Sequence, residues 1–164
     1  VEEAVDLLRP GLPSSIALEV TVEGAVGKVM ANRTQIHQIL MNIGTNAAHA
    51  MEGRVGRIEI RLSAGRYPDG VHGRVVKLPP GRYARLSIAD NGKGIDGETL
   101  QRIFEPFFTT KEVGVGTGLG LSIIHGIVTG LGGGIDAESE PGAGARFDIY
   151  LPSVEEPAVA SAAE

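Results

Sequence analysis

Glycine sets the tightest limit on this chain. Its 24 glycines in 164 residues follow no collagen-like period and gather where backbone freedom is needed more than side-chain volume. The stretch from Asp90 to Leu121 shows this best. It opens with the turn Asp90-Asn91-Gly92 and ends with Gly114-Val115-Gly116-Thr117-Gly118-Leu119-Gly120-Leu121, which runs directly into an apolar helix. Backbone N–H groups at a helix N-terminus, left open by glycine, bind phosphate. The pattern is not the dinucleotide fingerprint, since it follows a long loop rather than a strand. It is not a Walker A loop either, since no Lys-Ser/Thr follows the last glycine. A flexible hinge is the alternative explanation, and it is compatible with a moving lid.

Composition narrows the field. A length of 164 residues suits one domain around one core, and 42% hydrophobic with 21% charged residues is ordinary for a soluble globular chain. A net charge of −5 leaves no dense basic surface for nucleic acid. With no cysteine, disulfides and thiolate zinc sites are excluded. No apolar run has the length of a membrane span, and no signal peptide is visible. The chain reads as a domain cut from a longer cytoplasmic protein, with no direct membrane contact of its own.

Periodicity predicts a short helix over 1–8, strands over 16–22 and 28–30, and a long helix over 34–51 with Ile36, Ile39, Leu40, Ile43, Ala47 and Ala50 as its core stripe. A strand at 57–63, a loop or loose hairpin at 65–81 and a strand at 83–89 follow. Asp96 is the expected N-cap of a short helix ending near Phe104. Residues 105–117 have no regular period and read as a long mobile loop. The helix over 119–131 is apolar nearly all round and is expected to be buried. A hairpin of 135–139 with 145–151 closes the domain, here taken as 1–152, and 153–164 reads as a disordered tail or linker. Strands and helices are partly segregated. They predict a two-layer α+β sandwich, with a mixed, mostly antiparallel sheet of about five strands covered on one face by about three helices.

Four places offer chemistry. On the long helix, Asn42, Asn46 and His49 fall on one strip beside the core stripe at roughly 100° per residue. A neutral amide oxygen suits a magnesium ion that takes its other ligands from water and phosphates; from this helix alone, amides capping neighbouring loops explain the pair better. Asp90 continues the inward face of Ala84, Leu86 and Ile88, and an inward carboxylate needs a donor. An adenine amine would serve, with Gly92 and Gly94 letting the base lie close, but Asp-Asn-Gly is also ordinary turn chemistry. Three of the four phenylalanines, Phe104, Phe107 and Phe108, lie just before Thr109-Thr110-Lys111. They are read as docking this loop on the core, and as shielding a nucleotide when it is closed. Lys111 is either a phosphate contact or a solvated lysine. His37, His49, His72 and His125 carry no catalytic pattern, and none is followed by the Glu that usually marks a kinase phosphoacceptor.

The ordered segments resemble the GHKL superfamily, and within it the ATP-binding catalytic domain of bacterial two-component sensor histidine kinases. Gln38-Ile39-Leu40-Met41-Asn42-Ile43-Gly44-Thr45-Asn46-Ala47 resembles the N box, and Asp90-Asn91-Gly92-Lys93-Gly94-Ile95 the G1 box. Phe104-Glu105-Pro106-Phe107-Phe108 resembles the F box, and Gly116-Thr117-Gly118-Leu119-Gly120-Leu121 the G2 box. The end, Ser139 through Phe147, is also similar to the family.

The resemblance implies ATP or ADP with Mg²⁺ as bound groups. It implies Asn46 as the magnesium ligand, Asn42 supporting the phosphates, and Lys111 as a weaker phosphate contact. Asp90 would accept from the adenine amine and Gly94 would pack against the base, with His49, Ala50, Gly92, Ile95 and Phe104 also around the nucleotide. Residues 109–116, from Thr109 and Thr110 to Gly116, would form the ATP lid. Thr117 would adjoin the phosphates, Gly118, Leu119 and Gly120 would offer N–H groups to them, and Leu121 would follow. In ATPase members such as gyrase the position of Asn42 is a glutamate that activates water; Asn is no general base. The implied function is transfer of the γ-phosphoryl group to a histidine on a separate dimerisation and phosphoacceptor domain of the same protein, and onward to a response-regulator receiver domain. The isolated domain is expected to be a monomer, the parent protein a homodimer that is membrane-anchored in some family members. A GHKL-type ATPase and a non-catalytic nucleotide sensor are the alternatives. Two departures from the family stand out: Asn32 in place of the frequent Asp, and Gly44-Thr45 in place of a Leu-rich pair, which is expected to loosen the helix.

Overall fold

The computed structural model describes residues 1–111 and 118–155. Helix α1 (Glu2–Leu8) buries Ala4, Val5 and Leu8 and passes into a 3₁₀ turn at Arg9–Gly11, where Pro10 fits the first helical positions. Strands β1 (Ile16–Val22) and β2 (Lys28–Val29) precede the long helix α2 (Arg33–Ala50). Helix α2 starts one residue earlier than its apolar period suggests. The Asn32 side chain accepts from Gln35 N at 2.8 Å, and the Gln35 side chain accepts from Asn32 N at 3.0 Å. The departure at Asn32 is thus a reciprocal capping box that satisfies two N–H groups at once.

Four strands follow: β3 (Gly56–Tyr67), β4 (Val71–His72), β5 (Lys77–Leu78) and β6 (Gly81–Asp90). Of the expected loop or loose hairpin at 65–81, the hairpin is what forms. β3 and β6 pair from Ile58 opposite Asp90 out to Tyr67 opposite Gly81, and 68–80 closes with the small β4–β5 hairpin. Tyr67 explains the extension, standing edge-on to Tyr83 and Tyr150 at 5.9 and 5.8 Å. The buried Asp136 accepts from Arg74 N (2.7 Å) and Val75 N (3.0 Å), which holds the hairpin onto the sheet.

Helix α3 (Gly97–Leu100) is a single turn, shorter than expected, with Asp96 as N-cap accepting from Thr99 N at 2.8 Å. Helix α4 (Gly120–Gly130), β7 (Gly134–Ser139) and β8 (Ala145–Val154) complete the described chain. Strand β8 takes in Ser153 and Val154, which pair with Val29 and Lys28, so the sheet runs two residues past the expected boundary at 152. The rest of the expected tail, 156–164, lies outside the described residues.

The fold is a two-layer α+β sandwich. Its main sheet has six strands in the order β1-β3-β6-β8-β2, with β7 also on β8; β1 and β3 are parallel and the other pairs antiparallel. One sheet face, carrying Ile58, Ile60, Leu86, Ile88, Ile135, Phe147 and Ile149, packs against α1, α2 and α4. The core stripe of α2 is Ile39, Leu40, Ile43 and Ala47, with Ile36 and Ala50 only partly covered. Helix α4 departs from expectation. Only Ile124 and Val128 are fully buried and Ile123 is 40% exposed, because α4 meets α2 and β7 with one side only.

Gly44, expected to loosen α2, has a packing role there. A Cβ there would stand 2.7 Å from Leu8 Cδ1, and Leu8 is 1% exposed, so glycine is what lets α1 sit against α2. Replacing Gly44 with leucine is expected to destabilise the domain by about 1–3 kcal/mol despite the better helix propensity, since Leu8 has no room to retreat. Chemical denaturation reads this directly, and a stability gain would contradict the packing account.

Candidate functional site

Three pieces of backbone meet at one end of the sandwich: the C-terminal half of α2, the loop after β6, and the start of α4. The middle piece is fixed from both sides. Lys93 N donates to Ala50 O at 3.1 Å, at the end of α2. A Cβ on Gly92 would lie 2.8 Å from Ala50 Cβ, so only glycine permits this approach. On the other side the β7–β8 turn closes in. Gly142 N donates to Lys93 O (2.7 Å), and Ile95 N donates to Ser139 Oγ (2.7 Å), which in turn donates to Gly144 O (2.6 Å). Gly94 has φ +74°, and its missing Cβ would point at Glu140 O from 2.0 Å. The close approach that demands glycine at 94 is thus to protein backbone.

Asp90 ends β6 on the inward face, as its period predicts. Its Oδ1 accepts from Gly92 N at 2.8 Å. Burial pushes its carboxyl above the usual aspartate range, while the backbone N–H groups of Gly92 and Ala145 pull the other way. Asn91 Oδ1 accepts from Arg57 N at 2.8 Å, which ties the loop back to β3.

On α2, the Asn42 side-chain amide donates to Gly120 O at 3.4 Å, linking this helix to the first residue of α4. One turn on, Asn46 Oδ1 accepts from Lys111 Nζ at 3.3 Å, and His49 Nδ1 lies 2.9 Å from the same Nζ. Burial, and then the positive charge of Lys93, hold the Lys111 ammonium below the usual lysine range. The strip Asn42–Asn46–His49 is therefore in contact with both the 104–111 segment and α4.

The phenylalanines divide their roles. Phe104 packs on the core, its ring 5.5 Å from His125, and Phe108 lies under the Arg102 guanidinium at 4.4 Å. Phe107, expected to dock with them, is 76% exposed and has φ +65°. Its N–H donates to Gly118 O at 2.9 Å, and a Cβ on Gly118 would stand 2.4 Å from Phe107 C. This crossing of two backbones is why the segment before α4 ends in glycine. Thr109 and Thr110 are exposed, with Thr109 Oγ1 accepting from Lys111 N at 3.1 Å. Leu119 is the N-cap of α4 without a side-chain cap hydrogen bond, Gly120 is its first residue, and Leu121 is partly buried against the core. Gly116 and Thr117 lie outside the described residues.

The stretch from Ser139 to Phe147 was marked by its resemblance to the family, but neither period nor motif signalled that Ser139 and Gly144 hold the loop after β6. A pair of small residues in a hairpin turn gives no sign of which loop they hold. A cavity of about 580 Å³ lies elsewhere, between α1, the start of α2 and the sheet, and none of the residues above lines it.

The sequence profile described as "Histidine kinase-, DNA gyrase B-, and HSP90-like ATPase" matches residues 31–155. The chain is 44% identical over 125 residues to the sensor kinase CckA of Brucella abortus (strain 2308), covering 76% of this chain and 13% of that protein. It is 41% identical over 138 residues to the sensor histidine kinase ZraS of Klebsiella oxytoca, covering 84% of this chain and 26% of that one. The chain thus spans about a quarter or less of the length of these curated relatives. Among solved structures, the nucleotide-free catalytic domain of histidine kinase ThkA superimposes with a TM-score of 0.71 at 31% identity, covering 93% of this chain and 89% of that one. The mycobacterial sensor histidine kinase MprB gives the same TM-score at 27% identity, with 94% of each chain covered. This chain belongs to the histidine kinase-, DNA gyrase B- and HSP90-like ATPase family.

Proposed function

We propose that this chain is the ATP-binding catalytic domain of a sensor histidine kinase, donating the γ-phosphoryl group to a histidine on a dimerisation and phosphoacceptor domain of the same protein. The observation that carries this reading is that the Asp90 turn and the α4 N-terminus both meet the C-terminal half of α2, which carries Asn42 and Asn46. Asp90 is the acceptor for the adenine amine, at a position where burial has already taken the carboxylate partly out of water. Gly118, Leu119 and Gly120, together with Gly116 and Thr117, contribute the phosphate end, at the start of α4. The relatives' names support a kinase. Downstream transfer to a receiver domain, and a cytoplasmic position of the domain, follow from the same reading; among the described residues no helix is long and apolar enough to cross a membrane.

Magnesium fits the residues present. Asn46 Oδ1 already holds a cation, the Lys111 ammonium. Among the described residues no cluster of three His, Cys, Asp or Glu could hold a metal unaided. A metal ion here has a neutral amide oxygen from the protein and takes its other ligands from phosphates and water, which suits Mg²⁺. Mg²⁺ bound with nucleotide neutralises charge on the phosphates. The protein's own contribution is positioning. Asn42 ties α2 to α4, Asn46 orients its oxygen, and neither amide activates water. Mixing the chain with Mg-ATP and its acceptor domain is expected to give acid-labile phosphohistidine, with little turnover by the chain alone. Steady ATP hydrolysis by the isolated chain would replace the kinase reading with an ATPase one.

Two outcomes are expected of Asp90→Asn. Nucleotide affinity should fall roughly tenfold to hundredfold in calorimetry, the scale of a hydrogen bond to a charged group. The nucleotide-free domain should instead gain thermal stability at pH 7. The sign follows from the raised carboxyl pKa: the folded state disfavours the charged form, so the cost is fully present above the folded pKa and fades as pH falls through it. The stability gap between wild type and variant should close on acidification, and a variant less stable at pH 7 would contradict the buried-carboxylate account.

A further inference from the structure

Lys111 sits between two helical side chains, with its ammonium 3.3 Å from Asn46 Oδ1 and 2.9 Å from His49 Nδ1. An ammonium only donates, so His49 Nδ1 is the acceptor and the ring proton lies on Nε2. Thr109 Oγ1 accepts from Lys111 N at 3.1 Å and so shapes the turn that brings the lysine back to α2. Both side-chain partners are neutral, and Lys111 takes part in no ion pair among the described residues. A partly buried cation without a counter-charge is poorly compensated, so an arriving anion draws it away. The oxygen it occupies is the one the proposed function gives to Mg²⁺.

We infer that Lys111 is a positioning residue that keeps the metal place in the nucleotide-free domain. Its ammonium caps Asn46 Oδ1, with His49 as its dock, and a nucleotide arriving with its divalent cation displaces the ammonium from both. This rests on the nucleotide-binding reading and adds an exchange of one cation for another at a single oxygen. The exchange has a use. An amide flips easily between presenting oxygen and NH₂, and the ammonium holds the oxygen toward the place the metal takes. It also makes lysine and metal competitors, so the two are negatively linked, and each weakens the other by the same factor.

The test uses the intact chain with ¹⁵N-labelled histidine, followed by NMR, and calorimetry on the same samples. Without nucleotide, His49 is expected as the Nε2–H tautomer with a hydrogen-bonded Nδ1, and Lys111→Met is expected to remove that hydrogen-bond signature. Saturating wild type with a non-hydrolysable ATP analogue and Mg²⁺ should move the His49 Nδ1 signal to the value seen in Lys111→Met. The Mg²⁺ concentration for half-maximal analogue binding should fall roughly fivefold or more in Lys111→Met, the scale of a modest coupling between ligands. A His49 signal that ignores either change, or a Mg²⁺ midpoint that stays or rises, overturns the exchange while leaving nucleotide binding intact. Absence of any binding heat in wild type overturns the nucleotide reading itself, and the exchange with it.

Discussion

The clamp on the loop after β6 is the constraint on which the candidate site depends. Helix α2 holds it from one side through Ala50, and the β7–β8 turn from the other through Glu140, Gly142 and Gly144. Three glycines in this clamp leave no room for a Cβ: Gly92 against Ala50, Gly94 against Glu140 O, and Gly144 against Asp90 O. Because these contacts are to backbone atoms and to the Ala50 Cβ, which cannot swing aside, the position of the Asp90 carboxylate is set by the packing of the elements around it. An acidic group held partly out of water is unfavourable by itself, and only a rigid surround keeps it there.

Much of this was legible beforehand, for a physical reason in each case. The period of two along β6 aimed Asp90 inward, and the helical period of α2 put Asn42, Asn46 and His49 on one strip. Asp96 announced its own helix. What the pattern misjudged were features that depend on distant partners. The need for glycine at 94 was tied to a base alone, while a second reason, hidden in the pattern, is that its missing Cβ would meet Glu140 O, 46 positions along. Gly44 looked like a weak point in a helix because its partner, Leu8, lies in another helix. The anchoring of the hairpin at 68–80 was not visible because Asp136, which holds it, is more than 60 residues away. Helix α4 misled in a further way: apolar residues all round suggested burial all round, yet Ile123 faces outward.

The two faces of the sheet use different physics. The helix-covered face is a continuous apolar layer. The other face relies on charge and aromatic contacts. Asp148 accepts from Arg85 Nε at 3.1 Å and from Arg146 Nε at 3.0 Å, and the Arg85 guanidinium lies 5.8 Å from the centre of the Tyr150 ring. All three tyrosines gather there beside Val71 and Val76, under the hairpin that Asp136 anchors. The candidate site draws on the first layer and on the loops at its end.

The packing of α1 against Gly44 bears on where the folding unit begins. The family profile starts at residue 31, yet Ala4, Val5, Leu8 and Ile16 are all buried in the main core, and β1 pairs with β3 along seven residues. A fragment trimmed to the recognised family limits would open a notch beside α2 and leave β3 as an unprotected, hydrogen-bond-hungry margin, a surface prone to self-association. The stretch that resembles the family and the stretch that builds this core are therefore different lengths of chain, and the first thirty residues belong to the packing.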